Sequence, residues 1–204
     1  DCIVMNKLLV AVIAVLGFIN VAQAQGDIEA GKTKSTTCVA CHGADGNSPS
    51  NLYPKIAGQH ASYLVKQLQE FKSGDREDPI MAGMVAGLSE QDMEDLSAYF
   101  ASQTMTPETV SPEVAEAAKK FYMGGDLDRG IPGCTACHGP RGNGLELAKF
   151  PKISGQHPAY LKSQLEKFRS NLRHNAPNGM MKDISVKLSD SDIELLSQYI
   201  SALH

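Results

Sequence analysis

Apolar positions along this chain recur at helical spacing, and they do so twice. Leu64, Leu68 and Phe71 fall at i, i+4 and i+7, which predicts a helix over 60–73 that Gly74 ends. Met93, Leu96 and Phe100 mark a closing helix, opened by Ser89 as N-cap with Asp92 three residues on. A short helix over 28–37 precedes both, and residues 74–88 read as a loop carrying Pro79 and Met81. In the second half Pro112 opens a helix to about Met123, stopped by Gly124-Gly125, and 126–133 is a turn-rich insertion. No segment alternates apolar and polar residues as a strand does, so the expected fold class is all-α.

The second half then repeats the first. PKIAGQH at 54–60 returns as PKISGQH at 151–157. Tyr63, Gln67, Leu68 and Phe71 return as Tyr160, Gln164, Leu165 and Phe168, while Ser89, Asp92, Leu96 and Tyr99 return as Ser189, Asp192, Leu196 and Tyr199. This is an internal duplication, and it divides the chain into a domain over 25–103, a linker over 104–112 with two prolines, and a domain over 113–204. Ahead of them, Lys7, the 12-residue apolar run Leu8–Ile19 and the small-x-small pair Ala22/Ala24 predict an export signal spanning 1–24, with retention of that segment as the alternative. The run is shorter than the roughly 20 residues a membrane span needs.

Composition narrows the picture. Tryptophan is absent and aromatic residues make up only 6% of the 204, so domains this small need something other than aromatic side chains to complete a core. Residues 25–104 hold 11 acidic and 6 basic side chains, whereas 105–204 hold 11 and 12. The halves therefore differ in charge, and neither has the basic stripe of a nucleic-acid binder.

The chemistry lies in one short pattern present in both copies. Cys38-Val39-Ala40-Cys41-His42 and Cys134-Thr135-Ala136-Cys137-His138 are CxxCH, the attachment pattern of a c-type haem. Two thiols at this spacing form thioethers to one edge of the porphyrin, and the adjoining His42 or His138 meets the iron from the proximal side. Disulfides would leave both histidines without a role. A zinc centre would need residues adjacent in sequence, Cys41 and His42, on one tetrahedral ion.

A low-spin haem also needs a distal ligand. Counting back eight residues from Ser89 and Ser189 reaches Met81 and Met181, the methionines that the duplication pairs. Met84 and Met180 are rivals without a methionine counterpart, and Met81 and Met181 as flexible core fillers are the plain alternative. The paired His60 and His157 offer a bis-histidine alternative, or contacts near a haem edge. Lys55 and Lys152 are either propionate contacts or solvated. His174 and His204 lack repeat partners and read as surface residues. A thioether on iron favours Fe(II), and filled axial positions give one-electron transfer in place of catalysis. A diheme peroxidase, the enzymatic alternative, would need one iron without a stable distal ligand.

The CxxCHGxxGN segments, the PKI(A/S)GQH stretches and the paired closing helices resemble the diheme bacterial cytochromes c of the c4 type. That resemblance implies two tandem class I cytochrome c domains packed face to face, each with one covalent haem c. It implies Cys38 and Cys41 as attachment points with His42 and Met81 axial, and Cys134 and Cys137 with His138 and Met181 axial. It further implies a periplasmic electron carrier, soluble or loosely attached to the inner membrane. Such a carrier takes electrons from a bc1-type or other redox donor to a terminal oxidase, and a homodimer is compatible with it. An electron-transfer subunit of a periplasmic dehydrogenase, such as the diheme partner of a sulfide-oxidising flavoprotein, would use the same ligands. The chain departs from the pattern at Ala118, where such proteins usually have glycine; Gly31 keeps it in the first copy.

Overall fold

The computed structural model describes residues 26–204, so the expected export signal lies outside the described residues. The first copy comprises α1 (Ile28–Lys34), α2 (Val39–His42), α3 (Ala61–Ser73), α4 (Pro79–Val85) and α5 (Glu90–Ala101). The second comprises α6 (Pro112–Gly124), α7 (Thr135–His138), α8 (Pro158–Arg169), α9 (Met180–Ser185) and α10 (Asp190–Ser201). Among the described residues no helix is long and apolar enough to cross a membrane.

Local chemistry sets these boundaries. Asp27 caps α1 by accepting the Ala30 N–H at 2.8 Å. Ser89 and Ser189 each form a full capping box with Asp92 and Asp192. Gly74 ends α3 at φ 89°, a left-handed conformation that glycine adopts without strain. The segment expected as a loop around Met81 is instead helix α4. Asp78 accepts the Ile80 and Met81 N–H groups at 3.1 Å and Pro79 occupies the first turn, a start signal strong enough to nucleate a short helix. The insertion before the second CxxCH also departs from the all-helical expectation. It forms a two-residue antiparallel hairpin, β1 (Gly125–Asp126) against β2 (Ile131–Pro132).

In each copy the opening helix packs on the closing one. A Cβ at Gly31 would stand 2.0 Å from the Asp95 carbonyl, so α1 and α5 touch backbone to backbone. Ala118 is fully buried at the matching place on α6, where α10 leaves room for a methyl group. Asp95 closes the first crossing: its carboxylate accepts the Asp27 N–H and the Gln91 Nε2–H at 2.8 Å each, and pairs with Lys34. In the second copy Leu195 packs against the core from the α10 position that matches Asp95.

The copies meet across an approximate two-fold axis. Gln59 Oε1 accepts the Lys152 N–H at 2.8 Å while its Nε2 donates to the Lys152 carbonyl at 2.8 Å. Gln156 does the same to Lys55, at 2.8 and 2.7 Å. Arg76 lies 4.5 Å over Phe71 and donates to the Tyr160 hydroxyl, and Arg173 lies 4.5 Å over Phe168 and donates to the Tyr63 hydroxyl. Residues 104–111 form no regular element, and Glu108 in that stretch accepts from Lys55 Nζ at 2.6 Å and lies 3.1 Å from His157 Nδ1. Lys55 is thus neither solvated nor free: at 5% exposure it is spent on Glu108 and the Thr106 carbonyl.

Candidate haem sites

Each CxxCH occupies a single helical turn. Cys38 opens α2 and its carbonyl accepts the Cys41 and His42 N–H groups at 3.2 and 3.0 Å. Cys134 opens α7 with the corresponding bonds at 3.3 and 2.9 Å. An i, i+3 pair shares one helix face, so each turn presents two thiols side by side. Gly43 at φ 81° and Gly139 at φ 74° stop the turn directly after the histidine.

Both histidines are buried, at 8% exposure, and both are oriented by a carbonyl. His42 Nδ1 is 2.9 Å from the Pro54 carbonyl oxygen and His138 Nδ1 is 3.0 Å from that of Pro151. A carbonyl only accepts, so Nδ1 carries the proton and the Nε2 lone pair is left to bind. Burial pushes both imidazoles below the ordinary histidine pKa, partly offset by the carbonyl bond. They are neutral at pH 7, as a metal ligand must be.

The thiols fit the same group. Burial raises the Cys38 pKa and pushes that of Cys134 up to about 11, and the four CxxCH cysteines form no disulfide. Among the described residues no three His, Cys, Asp or Glu side chains gather around a common metal position. Apolar walls stand beside each attachment turn. Cys38 packs against a cluster of Leu96, Tyr99 and Phe100, as do Ile56, Leu64 and Leu88, and Cys134 packs against a larger cluster that includes Leu161, Leu188, Leu196 and Ile200. A porphyrin needs such walls, and the residues present fit one.

The remaining candidates separate. Met81 on α4 and Met181 on α9 are half-buried, as is Met180, whereas Met84 is 43% exposed. His60 Nε2 lies 2.8 Å from the Asn143 carbonyl and His157 Nε2 2.9 Å from that of Ser48. Both histidines bridge to the opposite copy, so those nitrogens are committed to the interface and not offered to iron. His174 and His204 are exposed. Sequence reasoning missed Gln59, Gln156, Arg76 and Arg173 as positions that join the two copies. The recurrence of glutamine in GQH was the available signal.

Two helical units, each with a buried, carbonyl-oriented histidine beside paired thiols, define a c-type cytochrome with two haems. The Cytochrome c family model matches residues 28–104 and again 115–204. The chain is 47% identical over 210 residues to cytochrome c4 of Stutzerimonas stutzeri, covering 98% of this chain and 100% of that one. The crystal structure of reduced recombinant cytochrome c4 from Pseudomonas stutzeri superposes with a TM-score of 0.85 at 47% identity, over 88% of this chain and 100% of that one. A thiosulfate dehydrogenase electron acceptor of Stutzerimonas stutzeri is more distant, at 36% identity over 80% of this chain and 77% of its own. The chain belongs to the diheme cytochrome c4 family, whose members are electron-transfer proteins carrying two covalent haem c groups.

Proposed function

We propose that this chain is a periplasmic carrier of single electrons, with His42 and Met81 on one iron and His138 and Met181 on the other. The observation that carries the proximal ligands is the pair of buried histidines whose Nδ1–H is taken by Pro54 and Pro151, which leaves the Nε2 lone pair available to bind. The matched placement of Met81 and Met181 on short helices after the α3 and α8 helices supports the distal assignment. When bound, each haem supplies one reversible electron on its iron. The protein's part is to hold neutral ligands, keep water from the proximal side and present two unequal faces to partners. The excess of acidic residues over 25–104 and the near balance over 105–204 favour separate docking of a donor and of a terminal oxidase.

A redox titration followed optically tests the ligand set. Two low-spin haems are expected, each with the methionine–iron charge-transfer band when oxidised. Met81→Ala or Met181→Ala is expected to remove that band from one haem only and to lower its potential; survival of both bands would refute the assignment. A second reading, an electron-accepting subunit of a periplasmic dehydrogenase, draws on the name of the thiosulfate dehydrogenase relative. A dehydrogenase co-purifying at fixed stoichiometry would favour it over a free carrier.

A further inference from the structure

We propose that Gln156 and Gln59 tune the haem of the domain opposite their own, by polarising the peptide that holds its proximal histidine. The inference rests on the His–Met ligation proposed above. The peptide joining Pro54 to Lys55 takes the His42 Nδ1 proton on its carbonyl at 2.9 Å, and gives its N–H to Gln156 Oε1 at 2.8 Å. The peptide joining Pro151 to Lys152 takes the His138 Nδ1 proton at 3.0 Å and gives its N–H to Gln59 Oε1 at 2.8 Å. One planar amide therefore links each proximal ligand to a side chain of the other domain.

The orientation of each glutamine is fixed by its partners. Gln156 Nε2 donates to the Lys55 carbonyl at 2.7 Å and its Oε1 also accepts the His157 N–H at 3.0 Å, so a flipped amide would face donors with a donor. Gln59 is pinned in the same way by the Lys152 carbonyl and the His60 N–H. Gln59, Gln156 and Lys55 are all buried, where hydrogen bonds in series strengthen one another.

The sign follows from amide resonance. Donating its N–H moves electron density onto the peptide oxygen, which then pulls harder on the histidine proton. The imidazole becomes a stronger donor at Nε2, and a stronger donor favours Fe(III) and lowers the reduction potential. The recurring PKI(A/S)GQH stretch thus serves both haems. Its proline carbonyl positions the histidine of its own domain, and its glutamine acts on the other.

Gln156→Met keeps side-chain length and removes all three of its bonds, two to Lys55 and one to the His157 N–H. At a fixed applied potential the first haem's Fe(II) to Fe(III) ratio is expected to rise about two- to tenfold, the scale set by cooperative strengthening of one hydrogen bond. In the reduced protein the His42 Nδ1–H proton resonance should move upfield. The second haem, assigned through the Met181 variant, should change less than twofold. Gln59→Met should give the mirror result, and it carries the test if Gln156→Met does not fold. A crosswise pattern supports the proposal. Movement of both haems together in either variant, as a merely loosened interface would cause, overturns it, as does no movement of either. If the parent protein lacks the methionine–iron band, the ligation reading fails and the relay loses its premise. If the band is present and the variants are silent, only the relay fails.

Discussion

Asp95 offers the sharpest test of how the first domain is held. Replacing it with asparagine preserves shape but removes the charge from a side chain that is only 3% exposed. The carboxylate accepts from the Asp27 N–H and from Gln91 at 2.8 Å each, and such charge-assisted bonds contribute about 1.5–3 kcal/mol against roughly 0.5–1.5 for neutral ones. Weakening both costs about 2 kcal/mol. Lys34 keeps Asp92 at 2.7 Å and turns partly to water. Urea denaturation at pH 7, followed by helical circular dichroism, should show the first domain's midpoint falling by about 1 M, given a slope of roughly 2 kcal/mol per molar. The pH dependence follows from the titration. The Lys34 hydrogen bond, more than any other contact, holds the Asp95 carboxyl below its ordinary range. A depressed folded pKa gives stability that is fully present above the unfolded value of about 3.9 and is lost as pH falls through the folded value. The gap between parent and Asp95→Asn should therefore be full at pH 7 and close in more acidic solution. An equal gap at both ends, or none at pH 7, would refute the reasoning.

Gly31→Ala, which forces a methyl group to 2.0 Å from the Asp95 carbonyl, should cost about 3 kcal/mol. The reverse change at the matching site, Ala118→Gly, should cost only about 1 kcal/mol, and the same denaturation measurement ranks the two. Ser189→Ala removes the hydroxyl that accepts the Asp192 N–H at 3.1 Å, and should cost about 1 kcal/mol. In a thermal melt that is a fall of about 2–4 °C.

The helices, the duplication and the attachment turns were legible because each rests on residues close in sequence. Leu64, Leu68 and Phe71 report their own helix, and CxxCH reports its own chemistry. Helix α4 was not legible, because Pro79 and Met81 read as loop residues until Asp78 is recognised as a cap. The hairpin at 125–132 was hidden because two residues per strand are too few for alternation to register. Lys55 reads as a surface lysine in isolation; only Glu108, 53 residues on, reveals why it can be buried. The same holds for Gln59, Gln156, Arg76 and Arg173. Their partners lie in the opposite copy, and no local periodicity points across a domain boundary.

The reciprocal contacts between the copies follow the rule of a symmetric homodimer, in which residue i meets j and j meets i. Gln59 holds Lys152 as Gln156 holds Lys55, and Arg76 reaches Tyr160 as Arg173 reaches Tyr63. A one-copy ancestor bearing this face would have matched a second copy of itself, and joining the two in one chain would keep the fit while freeing each half to diverge. Only one connecting segment can cross such an axis, so fusion alone ends the symmetry. Glu108, on that segment, engages Lys55 of one copy and His157 of the other, and marks where two equal partners became a first and a second.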